Sequence, residues 1–306
     1  MRPRIAVALF GPQGQGSFNE SGLQGAIRAR AAGHEVAVHW IASPEPSARA
    51  QALRHLCQQG LDLLVAHGGQ GDAPVAAVCD KFAGTRFAIT QGSHLSANTA
   101  CYEVLQEHSA FLAGVLAGLA SKTRVVGHLS GEKVRPGLKG RAAFAHGLRT
   151  AAPDCRFVTI FCGYQHDPQL AYRAARALQQ EGADLVFAMI DGGRDGVSQV
   201  CRETELRQIG NVLDWVERDP AVFVASALAD SGLGVVQAIQ DFQDGRFAPG
   251  SKKTYGLEFE QSVSLVMSPP LSAAHGQAIA QWRSQLISGQ LHPDETYEGP
   301  ELSLGV

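Results

Sequence analysis

Apolar and polar positions alternate along this chain in short blocks of two kinds. Unbroken apolar runs such as Ile5-Ala6-Val7-Ala8-Leu9-Phe10 predict strands buried on both faces, whereas segments with apolar residues three and four apart predict amphipathic helices. Strands are predicted over 5–10, 35–42, 61–67 and 86–91, then over 125–130, 156–162, 184–190, 207–213 and 221–228. Helices are predicted between them over 18–33, 47–59, 72–82, 139–151, 168–181 and 230–245. The stretch from Asn98 to Gly131 reads as one amphipathic helix leading into a buried strand. In it Val104, Leu105, His108, Phe111, Leu112, Val115, Leu116 and Leu119 form the apolar face. Gly114 and Gly118 weaken a helix by up to about 1 kcal/mol each unless something packs closely on them, so close packing is expected there. This helix is expected to cross between two lobes. Strand-like segments at 254–257 and 263–265 then precede a final helix near 272–289.

Such regular alternation predicts an α/β fold with two Rossmann-like lobes, each a parallel sheet covered by helices on both faces. The first four strands are expected in one lobe and the next five in the other. Length agrees, because 306 residues exceed the size at which one core usually divides. With 45% hydrophobic residues, 18% charged and a formal net charge of −3, the chain has material for large cores and no basic excess for nucleic acid. No apolar run approaches the roughly 20 residues of a membrane span. Met1-Arg2-Pro3-Arg4 runs straight into the first strand, so neither a signal peptide nor a lipobox is read. The six cysteines lack C-x-x-C or zinc spacing and sit among apolar residues, which predicts buried free thiols and leans toward a reducing compartment. The eleven histidines show no metal spacing, and no G-x-S-x-G or H-E-x-x-H motif occurs. Binding is therefore expected rather than turnover, with no cofactor and no metal.

In open parallel sheets ligands lie beyond the carboxyl ends of the strands. After the first strand, Gly11-Pro12-Gln13-Gly14-Gln15-Gly16 leads into Ser17-Phe18-Asn19-Glu20, an S-x-x-E capping box that places Phe18 and Asn19 in the first helical turn. An aromatic ring beside an amide and backbone N–H groups suits a flat, uncharged aromatic ligand. The competing reading makes Phe18 an apolar anchor and Asn19 a solvated helix-start residue. The glycine order is not that of a dinucleotide fold, and no Walker lysine follows. After the third strand, His67-Gly68-Gly69-Gln70-Gly71-Asp72 allows close backbone approach at Gly68, and His67 either donates to a ligand or bonds locally.

Several motifs occur together and in order. They are Ser17-Phe18-Asn19, Asn98, Ser-Ala-Phe-Leu-Ala-Gly at 109–114, Lys-Thr-x-x-Val-Gly at 122–127, Gly182 to Phe187, Asp191-Gly192-Gly193-Arg194-Asp195-Gly196-Val197, and Ser288-Gly289. On these the chain resembles the basic membrane protein (PnrA-like) family of ABC transporter substrate-binding proteins, many of them purine-nucleoside receptors. The resemblance implies a type I periplasmic-binding architecture. One lobe is expected over 1–122 plus about 230–265 and the other over 123–229 plus about 266–306, with a ligand cleft between them and hinges near 121–124, 228–232 and 262–268. It further implies that Phe18 and Phe187 clamp a purine-like ring, that Gln15 and Asn19 read its edge, and that Asp191 and Asp214 accept its donors. Ser17, His67, Gly68 and Gly192 would line the site. Phe187 inside an apolar strand also reads as core, and Asp191 also reads as a helix cap.

The chain departs from the family pattern in ways that bear on a sugar subsite. Gln91 stands where an aspartate is usual, Gln15 replaces another, and no lysine occurs between Lys139 and Lys252. Trp215 either fills the volume a ribose would take or is structural. A nucleobase or a nucleoside is the expected ligand. An ABC permease is the expected partner if the protein is exported, and extracytoplasmic placement follows if a leader was trimmed. The alternatives are a cytosolic sensor built on the same module and, less favoured, a small-molecule hydrolase.

Overall fold

The computed structural model describes residues 3–14 and 17–304, with the Ser17 side chain outside that set. The chain runs β1 (Ile5–Phe10), α1 (Ser17–Ala31), β2 (Val36–Ile41), α2 (Pro46–Gln58), β3 (Leu63–His67), α3 (Asp72–Ala76), β4 (Arg86–Thr90) and β5 (Thr99–Val104). It continues through α4 (Gln106–Ala120), β6 (Val125–Ser130), α5 (Arg135–Ala151), β7 (Arg156–Phe161), α6 (Pro168–Gln180), β8 (Leu185–Met189), α7 (Arg194–Glu203), β9 (Arg207–Val212), α8 (Trp215–Arg218) and β10 (Phe223–Ala229). α9 (Gly232–Gln243), β11 (Lys252–Tyr255), β12 (Val263–Met267) and α10 (Pro269–Ile287) follow. The predicted strands are all present with ends shifted by at most two residues.

Two compact units result. The first comprises Met1–Val104 and Asp230–Tyr255, the second Leu105–Ala229 and Gly256–Val306. In the first unit the sheet order is β11-β5-β4-β3-β1-β2, with every neighbouring pair parallel. The second unit's order is β12-β10-β9-β8-β6-β7, parallel except for antiparallel β12. Each sheet thus gains strands beyond the four and five expected. In the first unit Phe10, Leu53, Leu64, Phe87 and Ile89 anchor the core, and in the second Leu129, Ile160, Leu178, Val186 and Val200 do so.

The single long helix expected from Asn98 is instead a strand followed by a helix. Thr99–Val104 is buried at every position and paired on both sides, by β4 and β11, so its apolar residues face two layers rather than one helical stripe. Val104 and Leu105 accordingly lie outside the helix, which starts at Gln106. Asn98 is a loop anchor whose Nδ2 donates to the carbonyls of Cys79 at 3.0 Å and Thr85 at 3.2 Å. The helix expected over 72–82 ends at Ala76 and resumes only as a 3-10 turn at Cys79–Lys81. α5 begins before the expected 139, with Pro136 in its first turn where no backbone donor is needed.

The unit boundary also moves, from the expected 122 to Val104/Leu105, because α4 belongs with α5. A Cβ placed on Gly114 would lie 2.0 Å from the Phe144 carbonyl oxygen, and one on Gly147 would lie 2.0 Å from that of Phe111. The two helix backbones touch, and the small residues of α4 make that possible. Gly147→Ala would gain up to about 1 kcal/mol of helix propensity but overpack a backbone contact, at a cost of typically 1–3 kcal/mol. A net loss is expected, read as a lower thermal midpoint than wild type. A raised midpoint would show that the helices can separate without cost.

Candidate functional site

In the first unit β2 and β3 flank β1 on opposite sides, so the carboxyl ends of β1 and β3 mark the point where ligands collect in open sheets. The loop after β1 and the turn after β3 meet there. Gly68 has φ 106°, and a Cβ on it would come within 2.9 Å of the Phe18 ring. Only glycine therefore lets Phe18 lie over this turn. Phe18 is half-buried and stacks on His67 with ring centroids 4.5 Å apart.

His67 is fully buried and both ring nitrogens are engaged. The Phe18 carbonyl can only accept, so Nε2 carries the proton and donates to it at 3.0 Å. The Thr90 hydroxyl accepts from the Gly68 N–H at 3.0 Å and donates to Nδ1 at 2.9 Å. Burial lowers the His67 pKa to about 4, against the opposing pull of the Phe18 carbonyl and the Asp230 carboxylate. His67 is neutral at ordinary pH and serves as the platform beneath Phe18, with no ring nitrogen left for a ligand.

Asn19 is 3% exposed rather than solvated, and its Nδ2 donates to the Phe10 carbonyl at 2.9 Å. Its Oδ1 is buried and has no partner among the described residues, which leaves an acceptor unused beside the first loop. Glu20 reaches back to the Gly14 N–H at 3.0 Å, a more distant partner than the capping box implied. Gln15 lies outside the described residues, as does the Ser17 side chain. Gln91 takes a left-handed φ of 55° and is 2% exposed. Its Nε2 donates to the Val104 carbonyl at 2.8 Å while its Oε1 accepts from the Val104 N–H at 2.5 Å. Gln91 thus closes the end of β5 and is not offered to a ligand.

In the second unit Phe187 is 1% exposed and stacks on Phe144 at 4.9 Å, so its ring belongs to the core. Asp214 caps α8, accepting from the Glu217 N–H at 3.2 Å. Trp215 donates from Nε1 to the Asn211 carbonyl at 2.9 Å and stacks on Phe223 at 5.3 Å. Asp191 and Gly192 are half-buried in the loop between β8 and α7.

The residue that organises this edge is Arg194, to which the sequence alone assigns no role. It is 3% exposed and donates to the carbonyls of Ala188 at 3.1 Å and Ile190 at 2.5 Å, to Gln208 Oε1 at 3.2 Å and to Asn211 Oδ1. Its guanidinium also lies 4.6 Å from the Trp215 ring centroid. Burial lowers the Arg194 pKa to about 10, opposed by the Asp191 and Asp195 charges. The Gln165 carbonyl accepts from Gly193 N–H at 2.9 Å and the Gln165 side chain covers Gly131, so the loops after β6, β7 and β8 interlock. Tyr164 and His166 are half-buried in the same loop. Arg194 stands between glycines and acids in the sequence, where an arginine reads as a surface charge, and only the distant acceptors reveal its role.

The chemistry of the thiols runs against nucleophilic use. Burial pushes Cys57 up to about 11 and Cys201 up to about 12, and Cys162 is raised as well. All six cysteines are free, five of them buried, while Cys155 is partly exposed. Among the described residues no group of three or more His, Cys, Asp or Glu is arranged to hold a metal, and no helix is long and apolar enough to cross a membrane.

The profile of the family described as ABC transporter substrate-binding protein PnrA-like matches residues 3–293. A purine-binding protein of Brucella abortus is 21% identical over 230 residues, covering 74% of this chain and 63% of that protein, so the chain spans less than two thirds of that relative's length. An ABC transporter solute-binding protein from Aeropyrum pernix K1 has a similar crystal structure, with TM-score 0.81, 20% identity and coverage of 94% and 92%. A transcriptional activator of the comK gene from Bacillus halodurans has TM-score 0.77 and 18% identity, covering 95% of this chain and 100% of that one. At these identities the two structures show a shared fold, that of the solute-binding proteins.

Two measurements follow from the geometry. A folded-state His67 pKa below the unfolded value of 6.5 means that the unfolded chain binds the proton more tightly. His67 therefore imposes no penalty above pH 6.5, and stability is lost progressively as pH falls toward about 4. That depression corresponds to ~3 kcal/mol at about 1.4 kcal/mol per unit. Urea midpoints measured from pH 7 to 4 should fall more steeply for wild type than for His67→Gln, and equal slopes would contradict a buried neutral ring. Gln91→Glu removes the donor to Val104 and buries a carboxylate, with an expected loss of ~1–3 kcal/mol in urea denaturation. An unchanged midpoint would mean that the Gln91 bonds contribute nothing.

Proposed function

Because the chain belongs to the PnrA-like family of ABC transporter substrate-binding proteins, we propose that it captures a small purine-like ligand, a nucleobase or a nucleoside, for an ABC permease. The observation that carries this reading is the Phe18 platform. A half-buried ring is held at the carboxyl edge of the first sheet by a neutral histidine beneath it and a glycine turn beside it. Such a ring loses little freedom when a flat heterocycle stacks on it, and base stacking on an aromatic side chain is worth about 1–3 kcal/mol. The unused Asn19 Oδ1 is an acceptor for a ring N–H or an exocyclic amine. Gly68 permits close approach, and Gln15 and Ser17 belong to the same loop by sequence.

In the second unit Asp191 and Gly192 are the residues we assign to ligand contact. Phe187, Asp214 and Trp215 act as scaffold, since each is already bound to a neighbour. His67 and Gln91 take the same supporting part in the first unit. The Brucella abortus relative, described as purine-binding, supports the ligand class. We place the protein outside the cytoplasm, as the family's transport role requires, and assign it binding without turnover.

Calorimetry of the purified chain against adenine, guanine, hypoxanthine, xanthine and their nucleosides tests this directly, with the recovered ligand checked for chemical change. Phe18→Ala should weaken the best binder at least about tenfold, a loss of ~1.4 kcal/mol. The proposal fails if no purine binds, if Phe18→Ala binds as tightly as wild type, or if the ligand is recovered altered.

A further inference from the structure

In the second unit β7 and β8 flank β6 on opposite sides, so the loops after these three strands share one carboxyl edge. The loop between β7 and α6 is fixed there through its backbone. Gly163 turns it at φ 99°, and the Cys162 thiol donates to the Tyr164 carbonyl at 3.4 Å. The Asp167 carboxylate caps α6, accepting from the Gln169 and Leu170 N–H groups at 2.8 and 3.1 Å. The Gln165 carbonyl accepts from the Gly193 N–H at 2.9 Å, which binds this loop to the turn that carries Asp191 and Gly192. A Cβ on Gly193 would lie 3.1 Å from the Asp167 carbonyl oxygen, so the two backbones are in contact.

The side chains on this fixed loop are uncommitted. Tyr164, Gln165 and His166 are half-buried, and the hydroxyl, the carboxamide and the ring nitrogens form no hydrogen bond with another described residue. Tyr164 and His166 meet edge to face at 5.5 Å, and His166 Nδ1 is buried without a partner among the described residues. Gln165 lies over the turn after β6, where a Cβ on Gly131 would come within 2.6 Å of its Cδ and 2.7 Å of its Oε1. Glycine at 131 makes room for that carboxamide, as Gly68 does for Phe18 in the first unit. On the same edge Arg194, Asp214 and the Ser130 hydroxyl are already bonded within the protein. A fixed backbone that carries uncommitted polar groups loses little freedom when those groups meet a ligand.

We propose that Gln165 is the residue of the second unit that decides which ring is accepted, its carboxamide pairing with an exocyclic group and the ring nitrogen beside it. The inference rests on the purine-like reading above and narrows it. A carboxamide offers an N–H donor next to an acceptor oxygen, and its complement is an acceptor next to a donor. Adenine carries an amine beside a ring nitrogen, and hypoxanthine an oxo group beside a ring N–H. A site built to pair such an edge rejects rings that lack it, because its own polar groups are then left unpaired.

Calorimetry of full-length wild type, Gln165→Met and Gln165→Glu tests this against adenine, hypoxanthine, their ribosides, 9-methylpurine and purine riboside. The last two have neither an exocyclic group on the ring nor a ring N–H. Cytosine and nicotinamide extend the panel, since they carry a comparable edge on other rings. Gln165→Met keeps the side-chain length and Gln165→Glu its shape, while both remove the donor. Each should weaken the best binder that has the edge at least about tenfold and change 9-methylpurine or purine riboside less than about twofold. Gly131→Ala places a methyl group where the carboxamide lies and should reproduce the Gln165→Met pattern. Variants that bind as tightly as wild type overturn the inference and leave the purine-like reading standing. So does an equal loss for every ring, which is what a displaced loop produces. A hit confined to cytosine or nicotinamide that depends on Gln165 supports the role of the carboxamide and sinks the purine-like reading, whereas the absence of any binder overturns both.

Discussion

Two carbonyl oxygens, those of Phe111 and Phe144, occupy positions where a methyl group on the facing helix would have to sit. This backbone contact between α4 and α5 fixes the second unit. With the helices so close, the Gln106 side chain reaches the Pro136 carbonyl at 2.9 Å, and Lys139 and Glu107 form an ion pair buried on both sides. An ion pair of that kind requires tight and complete packing, because charges removed from water are tolerated only in good geometry. α5 in turn carries Phe144, against which Phe187 stacks, and the basic residues that receive the segment after α10. The small residues of α4 are thus the condition for everything built on α5.

Much of the fold is legible in the sequence because parallel strands buried on two faces appear as unbroken apolar runs. β1 and β8 are of this kind and fall within a residue of their expected bounds. β5 is not legible for the same physical reason. Thr99-Ala100-Cys101-Tyr102-Glu103-Val104 contains a glutamate and a tyrosine whose partners, Lys252 and Asp241, lie far along the chain. Read locally it merges with the helix that follows. The four-residue α8 is hidden by its short length, whereas α7 is anticipated only as the helix that Asp191 would cap.

The site is legible in a different measure. Sequence reasoning locates the loops, because ligand-binding edges follow from strand direction alone. It does not separate side chains that face a ligand from those that hold the loop, since both are polar or aromatic. His67 bonds to Phe18 and Thr90, Arg194 to Gln208 and Asn211, and Asn19 to Phe10. Residue types suited to recognition are here spent on backbone carbonyls and on one another. Phe18 stands apart because its neighbours support it from below while part of its surface stays accessible.

Gln91 does with its side chain what a neighbouring strand does with its backbone. Its carboxamide presents a donor and an acceptor to both backbone groups of Val104, as a peptide group of a neighbouring strand would. The side chain is in effect one more rung of the ladder, set where the main chain has already turned away. An aspartate is shorter and lacks the donor, so it could not complete that rung. The glutamine therefore fixes the last residue of β5 to the first unit, and it does so through a side chain rather than through a neighbouring strand.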